Sequence, residues 1–192
     1  ARPVREWGVQ MISADDMAML RDDLGREPRG AVGVAARCAC GRPLVVTTAP
    51  RLPDGTPFPT TFYLAGPKLV AACSTLEAEH LMEDYNALLA ADEDIAEQYR
   101  AAHADYIARR DAVGEQVGTG AVEEIAGVSA GGMPTRVKCL HALVGHALAA
   151  GPGVNPIGDL ALAELQRRGY WDPEGCRCQG STQTLAPKGA AE

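Results

Sequence analysis

The apolar residues of this chain change period: after Pro28 they alternate as on a strand, whereas before Gly25 and through the middle of the chain they recur at helical spacing. Val32, Val34, Ala36 and Cys38 alternate as on a half-buried strand. Gly41 and Pro43 mark a turn, so Leu44-Val-Val-Thr-Thr48 reads as the return strand of a hairpin. Arg51 to Pro59, with three prolines and one glycine, is a loop, and Thr60 to Leu64 reads as a third strand. The expected fold is α+β: a small antiparallel sheet of about three strands packed with four or five helices, one of them central and buried.

The helices carry their own punctuation. Ser13-Ala-Asp-Asp16 has capping-box spacing, Met17, Leu20 and Leu24 follow at helical intervals, and Gly25 stands where a C-cap favours glycine. Ser74-Thr-Leu-Glu77 is a second capping box, predicted to open a helix to about Ala90. Asp92 caps the next, with Ile95, Tyr99, Ala102 and Tyr106 as its apolar stripe, His103 packing on that face, and Asp105 and Arg109 as an i,i+4 pair on the solvated side. Gly114 to Gly120 is a break. Pro134 to Ala150 is the most apolar helix, and Asp159 to Arg168 the last. Residues 1–12 read as an extension, 13–172 as a single domain, and 173–192 as a mobile tail that folding does not need.

Composition excludes some functions. With 192 residues the chain suits one domain. The net charge of −7 and scattered cations argue against nucleic acid as a partner. No run of 18 apolar residues argues for a membrane span, and Ala1-Arg-Pro-Val-Arg-Glu-Trp7 has no apolar core of the secretory type. The expected location is cytoplasmic, and the six cysteines are expected to be reduced.

The concentrated chemistry lies between Ile125 and Gly158. Ser129-Ala-Gly-Gly-Met-Pro134 leads into the predicted apolar helix, with Pro134 near its first position. A helix N-terminus attracts anions, and Gly131 and Gly132 would let the backbone approach one. Arg136 and Lys138 then fall in the first turn, where a bound anion would offset them. Asn155 joins this site if the fold returns it there, and Arg37 is the best remote cation. The plain alternative is a glycine linker before a helix with two solvated cations.

Cys139, His141 and His146 are the candidate catalytic residues. Cys139 and His146 share one helix face about 10 Å apart, with His141 nearly opposite, so they cannot hold one metal ion from a regular helix. Cys139 and His141 converge only if the helix begins later than Pro134. Cys139 near a helix N-terminus and beside Lys138 suits a lowered thiol pKa and a nucleophilic role. The alternative is a buried cysteine with core histidines. No metal and no cofactor is expected. The pairs Cys38/Cys40 and Cys176/Cys178 are the fallback ligands for zinc, although their one-residue gap is tighter than the usual two to four.

Several strings together resemble one bacterial family. They are Leu24-Gly-Arg-Glu-Pro-Arg-Gly30, Pro50-Arg-Leu-Pro-Asp-Gly-Thr-Pro-Phe-Pro-Thr60, Ser129-Ala-Gly-Gly-Met-Pro134, Val137-Lys-Cys-Leu-His141 and Gly151-Pro-Gly-Val-Asn-Pro156. The family, best represented in actinobacteria, is known as domain of unknown function 501, and the resemblance covers roughly residues 13–168. It implies a cytoplasmic protein whose genes tend to lie beside those for exopolyphosphatase, a septum-formation initiator and enolase. The family often has Thr-Cys-Pro after the third strand, where this chain reads Ala65-Gly66-Pro67.

Two readings of function follow, and the sequence does not decide whether the chain is an enzyme. In the first it binds or acts on a small phosphorylated or otherwise anionic ligand at the glycine turn. In the second it is a noncatalytic adaptor for a protein partner, linked to cell division or polyphosphate metabolism. Thiolate metal binding is the third choice.

Overall fold

Ser13 starts the first helix by the chemistry its sequence offers. Its hydroxyl accepts from the Asp16 N–H at 3.0 Å, and the Asp16 carboxylate accepts from the Ser13 N–H at 3.2 Å. The helix α1 (Ala14–Leu24) ends at Gly25 in the left-handed region, and a hairpin of β1 (Ala31–Arg37) and β2 (Pro43–Thr48) follows. β3 (Phe62–Leu64) pairs antiparallel with β2, which makes a three-stranded sheet in the order β1-β2-β3. The structure, a computed structural model, describes residues 11–176 and 178. Most of the predicted N-terminal extension and the end of the predicted tail fall outside those residues.

Among the described residues six α-helices surround the sheet, where the sequence suggested four or five: after α1 come α2 (Pro67–Ala78), α3 (Leu81–Ala91), α4 (Glu93–Val117), α5 (Leu140–Ala150) and α6 (Pro156–Arg167). Every residue of β2 is buried because the sheet is covered on both faces. Val46 packs with Leu20 of α1 on one side, and Val45 belongs with Leu140, Leu143 and Val144 of α5 on the other. The central buried helix is α5. It reaches β3 backbone to backbone, since a Cβ at Gly145 would lie 2.8 Å from the Phe62 carbonyl oxygen. α6 crosses α5 just as closely, where a Cβ at Gly158 would lie 2.3 Å from the Leu143 carbonyl oxygen. Gly158→Ala is therefore expected to destabilise the protein by about 1–3 kcal/mol in a urea titration, because the strain falls on rigid backbone.

Three predicted helix starts need correction. The helix predicted at Ser74 begins seven residues earlier, with Pro67 in its first turn, and breaks at His80 (φ 64°) before α3. Ser74 is an interior residue whose hydroxyl donates to the Val70 carbonyl at 3.0 Å. The helix predicted from Pro134 begins at Leu140, and the last helix begins at Pro156 behind Asn155. Asp92 does cap α4, accepting from Asp94 and Ile95.

Arg37 is also committed elsewhere than predicted. Its guanidinium grips the buried Asp16 carboxylate through two bonds of 2.7 and 2.9 Å, tying β1 to α1. That bond, more than any other influence, holds Asp16 down at about 2, against an ordinary 3.8. A lowered folded-state pKa stabilises the protein above 3.8 and ceases to do so as the pH falls through about 2. Asp16→Asn is expected to cost about 2 kcal/mol at neutral pH. The gap from wild type should close between pH 4 and 2 in thermal melts; a gap independent of pH would show that the charge is not responsible.

Candidate functional site

The tip of the β1–β2 hairpin is a tight knuckle. The Cys38 N–H donates to the Arg42 carbonyl at 2.9 Å and the Gly41 N–H to the Cys38 carbonyl at 2.8 Å, with Gly41 at φ 86°. This turn brings Cys38 and Cys40 to the same side. At the other end of the domain, α6 stops and the chain reverses: Gly169 adopts φ 75°, and the N–H groups of Tyr170 and Trp171 both donate to the Leu165 carbonyl. Tyr170, Trp171 and Cys178 then pack against the main core. Of the segment predicted as a mobile tail, Cys178 packs against this core.

Those two turns meet. The sulfurs of Cys38, Cys40, Cys176 and Cys178 all lie within 4.8 Å of one another. None of the six cysteines forms a disulfide. Sulfurs around a tetrahedral zinc ion stand about 3.8 Å apart, given a Zn–S bond of about 2.3 Å, whereas a disulfide requires about 2.05 Å. Electrostatics point the same way. Burial first, then the neighbouring Cys38 and Cys40 sulfurs, push the Cys178 thiol up. At Cys40 the Arg42 N–H lowers the thiol pKa, but the Cys176 sulfur, burial and the Cys38 sulfur outweigh it and the net shift is upward. Packed thiols resist ionising together, and a divalent cation removes that resistance. Arg42 stands behind the cluster, held by Asp23 at 2.6 and 2.9 Å and close enough to interact with Cys178.

The glycine turn is arranged differently from the anion site predicted for it. Gly131 and Gly132 have φ of 67° and 96°, and their carbonyls accept N–H groups of the same loop. Gly131 takes Lys138 at 2.7 Å and Cys139 at 3.3 Å, and Gly132 takes Arg136 at 3.0 Å. A Cβ at Gly132 would lie 2.5 Å from the Arg136 carbonyl oxygen, so the glycines serve the loop's own closure. Arg136 and Lys138 precede α5 and are not in its first turn. The helix N-terminus already has an anion: a Glu77 carboxylate oxygen, from α2, accepts the Leu140 N–H at 2.7 Å. Ser129 is buried, with its hydroxyl 2.8 Å from His103 Nδ1, and Arg110 secures the approach to it by donating to the carbonyls of Ile125 and Val128.

His146 and Asn155 form a separate, interior network. His146 is fully buried, and its Nε2 donates to Asp105 at 2.9 Å. Its Nδ1 accepts from the Asn155 amide at 3.1 Å, while Asn155 Oδ1 caps α6 by accepting the Gly158 N–H. Burial pushes the His146 pKa down and keeps the ring neutral. Asp105 and Arg109, predicted on the solvated side, belong here, with Arg109 buried and bonded to Asp105 at 2.5 Å. Both ring nitrogens of His146 are committed to joining α4, α5 and α6.

The later start of α5 does bring Cys139 and His141 together. Cys139 sits in extended backbone (φ −149°, ψ 111°) as the residue before the helix. One ligand atom each from Glu77, Cys139 and His141 lies within 4.8 Å of the others. His141 Nδ1 is 3.0 Å from Glu77, and its Nε2 is 3.1 Å from the Val70 carbonyl and 3.2 Å from the Ser74 hydroxyl. The Cys139 sulfur is the main influence raising the His141 pKa, to about 9, with Glu77 adding to it against the opposing effect of burial. Glu77 went unrecognised in the sequence because its spacing from Ser74 imitates a helix cap.

Residues 34–163 match the family described as a protein of unknown function, DUF501. The chain belongs to the DUF501 family. The DUF501 segment includes Cys38, Cys40, Glu77, Cys139 and His141, and ends before Cys176 and Cys178. No curated protein and no solved structure matches the chain. Among the described residues, no helix is long and apolar enough to cross a membrane.

Proposed function

We propose that the chain is a zinc-binding protein in which Cys38, Cys40, Cys176 and Cys178 hold one ion that fastens the segment after α6 to the β1–β2 hairpin. The observation that carries this reading is the mutual approach of four sulfurs to within 4.8 Å from two distant Cys-x-Cys pairs. An all-thiolate tetrahedral set is the donor chemistry of structural zinc, closed to substrate. The short spacing weighs less than it did in the sequence, because each pair needs to supply only two corners of the tetrahedron. A reduced tetrathiolate also fits a cytoplasmic setting.

The ion would wall one side of a cavity of about 370 Å³, lined by Cys38, Cys178, Leu44, Leu69, Tyr170 and Trp171. The charged side chains lining it are Asp22, Asp23, Arg42 and Lys68, so its charges balance and do not favour an anionic ligand. The adaptor reading draws little support either, since among the described residues the exposed large apolar ones, Met11, Val128 and Leu160, lie on three different segments.

Elemental analysis of protein purified without chelators tests the proposal. Cys176→Ser/Cys178→Ser is expected to carry one zinc per chain fewer than wild type. Equal zinc content in the two proteins would end it.

A further inference from the structure

We infer that Glu77, Cys139 and His141 form a second metal site, of mixed carboxylate, thiolate and imidazole donors and open to solvent, suited to zinc. Three backbone segments converge on it: α2 supplies the carboxylate, the extended residue before α5 the sulfur, and the first turn of α5 the imidazole. Each of two donors is held by a bond behind it. His141 Nε2 lies 3.1 Å from the Val70 carbonyl, which turns Nδ1 inward, and the Leu140 N–H fixes the Glu77 carboxylate at 2.7 Å. Ligating histidines and carboxylates are characteristically oriented this way. An ion pair joining α2 to α5 would need Glu77 and His141 alone; the sulfur beside them is the added donor.

The two clusters differ in kind. Four thiolates close a tetrahedral ion off, whereas three protein donors leave a position vacant. The Glu77 and His141 side chains are 25% and 27% exposed, so the vacant position faces water or a small anionic ligand. On binding, the ion would displace the proton on His141 Nδ1 and the proton of the Cys139 thiol, and both would pass to solvent.

The test uses Cys139→Ser, because serine is a favoured residue just before a helix and keeps the fold. Wild-type protein dialysed against excess zinc and then desalted is expected to carry two ions per chain, Cys139→Ser one, and Cys176→Ser/Cys178→Ser one. Isothermal titration of the Cys176→Ser/Cys178→Ser protein should show one zinc site, weakened by more than about 100-fold when Cys139→Ser is added. With cobalt as probe, that remaining site should show a thiolate-to-cobalt absorption band that disappears with Cys139→Ser. Zinc content unaffected by Cys139→Ser, or no zinc bound by the Cys176→Ser/Cys178→Ser protein, overturns the inference and leaves the tetrathiolate proposal standing. Loss of zinc only on replacing Cys176 and Cys178 tests the tetrathiolate separately.

Discussion

Replacing Cys176 and Cys178 with serine is expected to lower the thermal midpoint of the zinc-loaded protein by roughly 8–16 °C. A structural ion present at about 1,000 times its dissociation constant adds about 4 kcal/mol to the folded state. For a chain of 192 residues, each kcal/mol moves the midpoint by about 2–4 °C. In a Cys139→Ser background, which removes the second cluster, a chelator should lower the midpoint by the same amount, and it should leave the protein that also carries Cys176→Ser/Cys178→Ser unmoved. Deleting residues 174–192 should match the double serine variant, although composition alone makes that segment look dispensable. Scanning calorimetry with and without chelator reads all of these. An unchanged midpoint in the deletion would mean that the segment contributes nothing to the domain.

His146→Ala is expected to destabilise the protein by about 3–5 kcal/mol, as removal of a buried ring ordinarily does. The ring stacks on Phe62 with centroids 6.1 Å apart and meets Tyr106 edge-on at 5.0 Å. Its loss also strips Asp105 of one hydrogen bond and Asn155 of another. Urea denaturation at neutral pH measures the cost. A free-energy change below about 1 kcal/mol would return His146 to the catalytic candidates, because catalytic groups are commonly removed without loss of stability.

The sequence revealed most where a residue's partners are its near neighbours. Ser13, Gly25 and Asp92 were readable because each acts within four residues of itself, as does the capping bond of Asp16, although its stronger bond to Arg37 was not. Alternation located the first strand, and the turn and loop residues around the other two located them. The same local logic misread Ser74 and Glu77, whose spacing is that of a cap but whose bonds run to Val70 and to Leu140 on another helix. Nothing local announces that Gly131 will capture the N–H groups of Lys138 and Cys139 and delay α5 to Leu140. That delay moves Arg136 and Lys138 out of the helix and brings Cys139 within reach of His141. The thiol cluster was the least legible of all, because the hairpin knuckle and the reversal at Gly169 must meet across the whole domain. Asp105 shows the same limit: i,i+4 spacing found its partner Arg109, but only the packing of α4 against α5 found His146.

The tetrathiolate ion can be read directly at the metal. X-ray absorption at the zinc edge, recorded on Cys139→Ser protein purified without chelators, isolates the ion between the hairpin and the segment after α6. One zinc per chain with four sulfur neighbours at about 2.3 Å is the expected result. Protein that binds no metal, or a zinc shell dominated by nitrogen and oxygen, would contradict it.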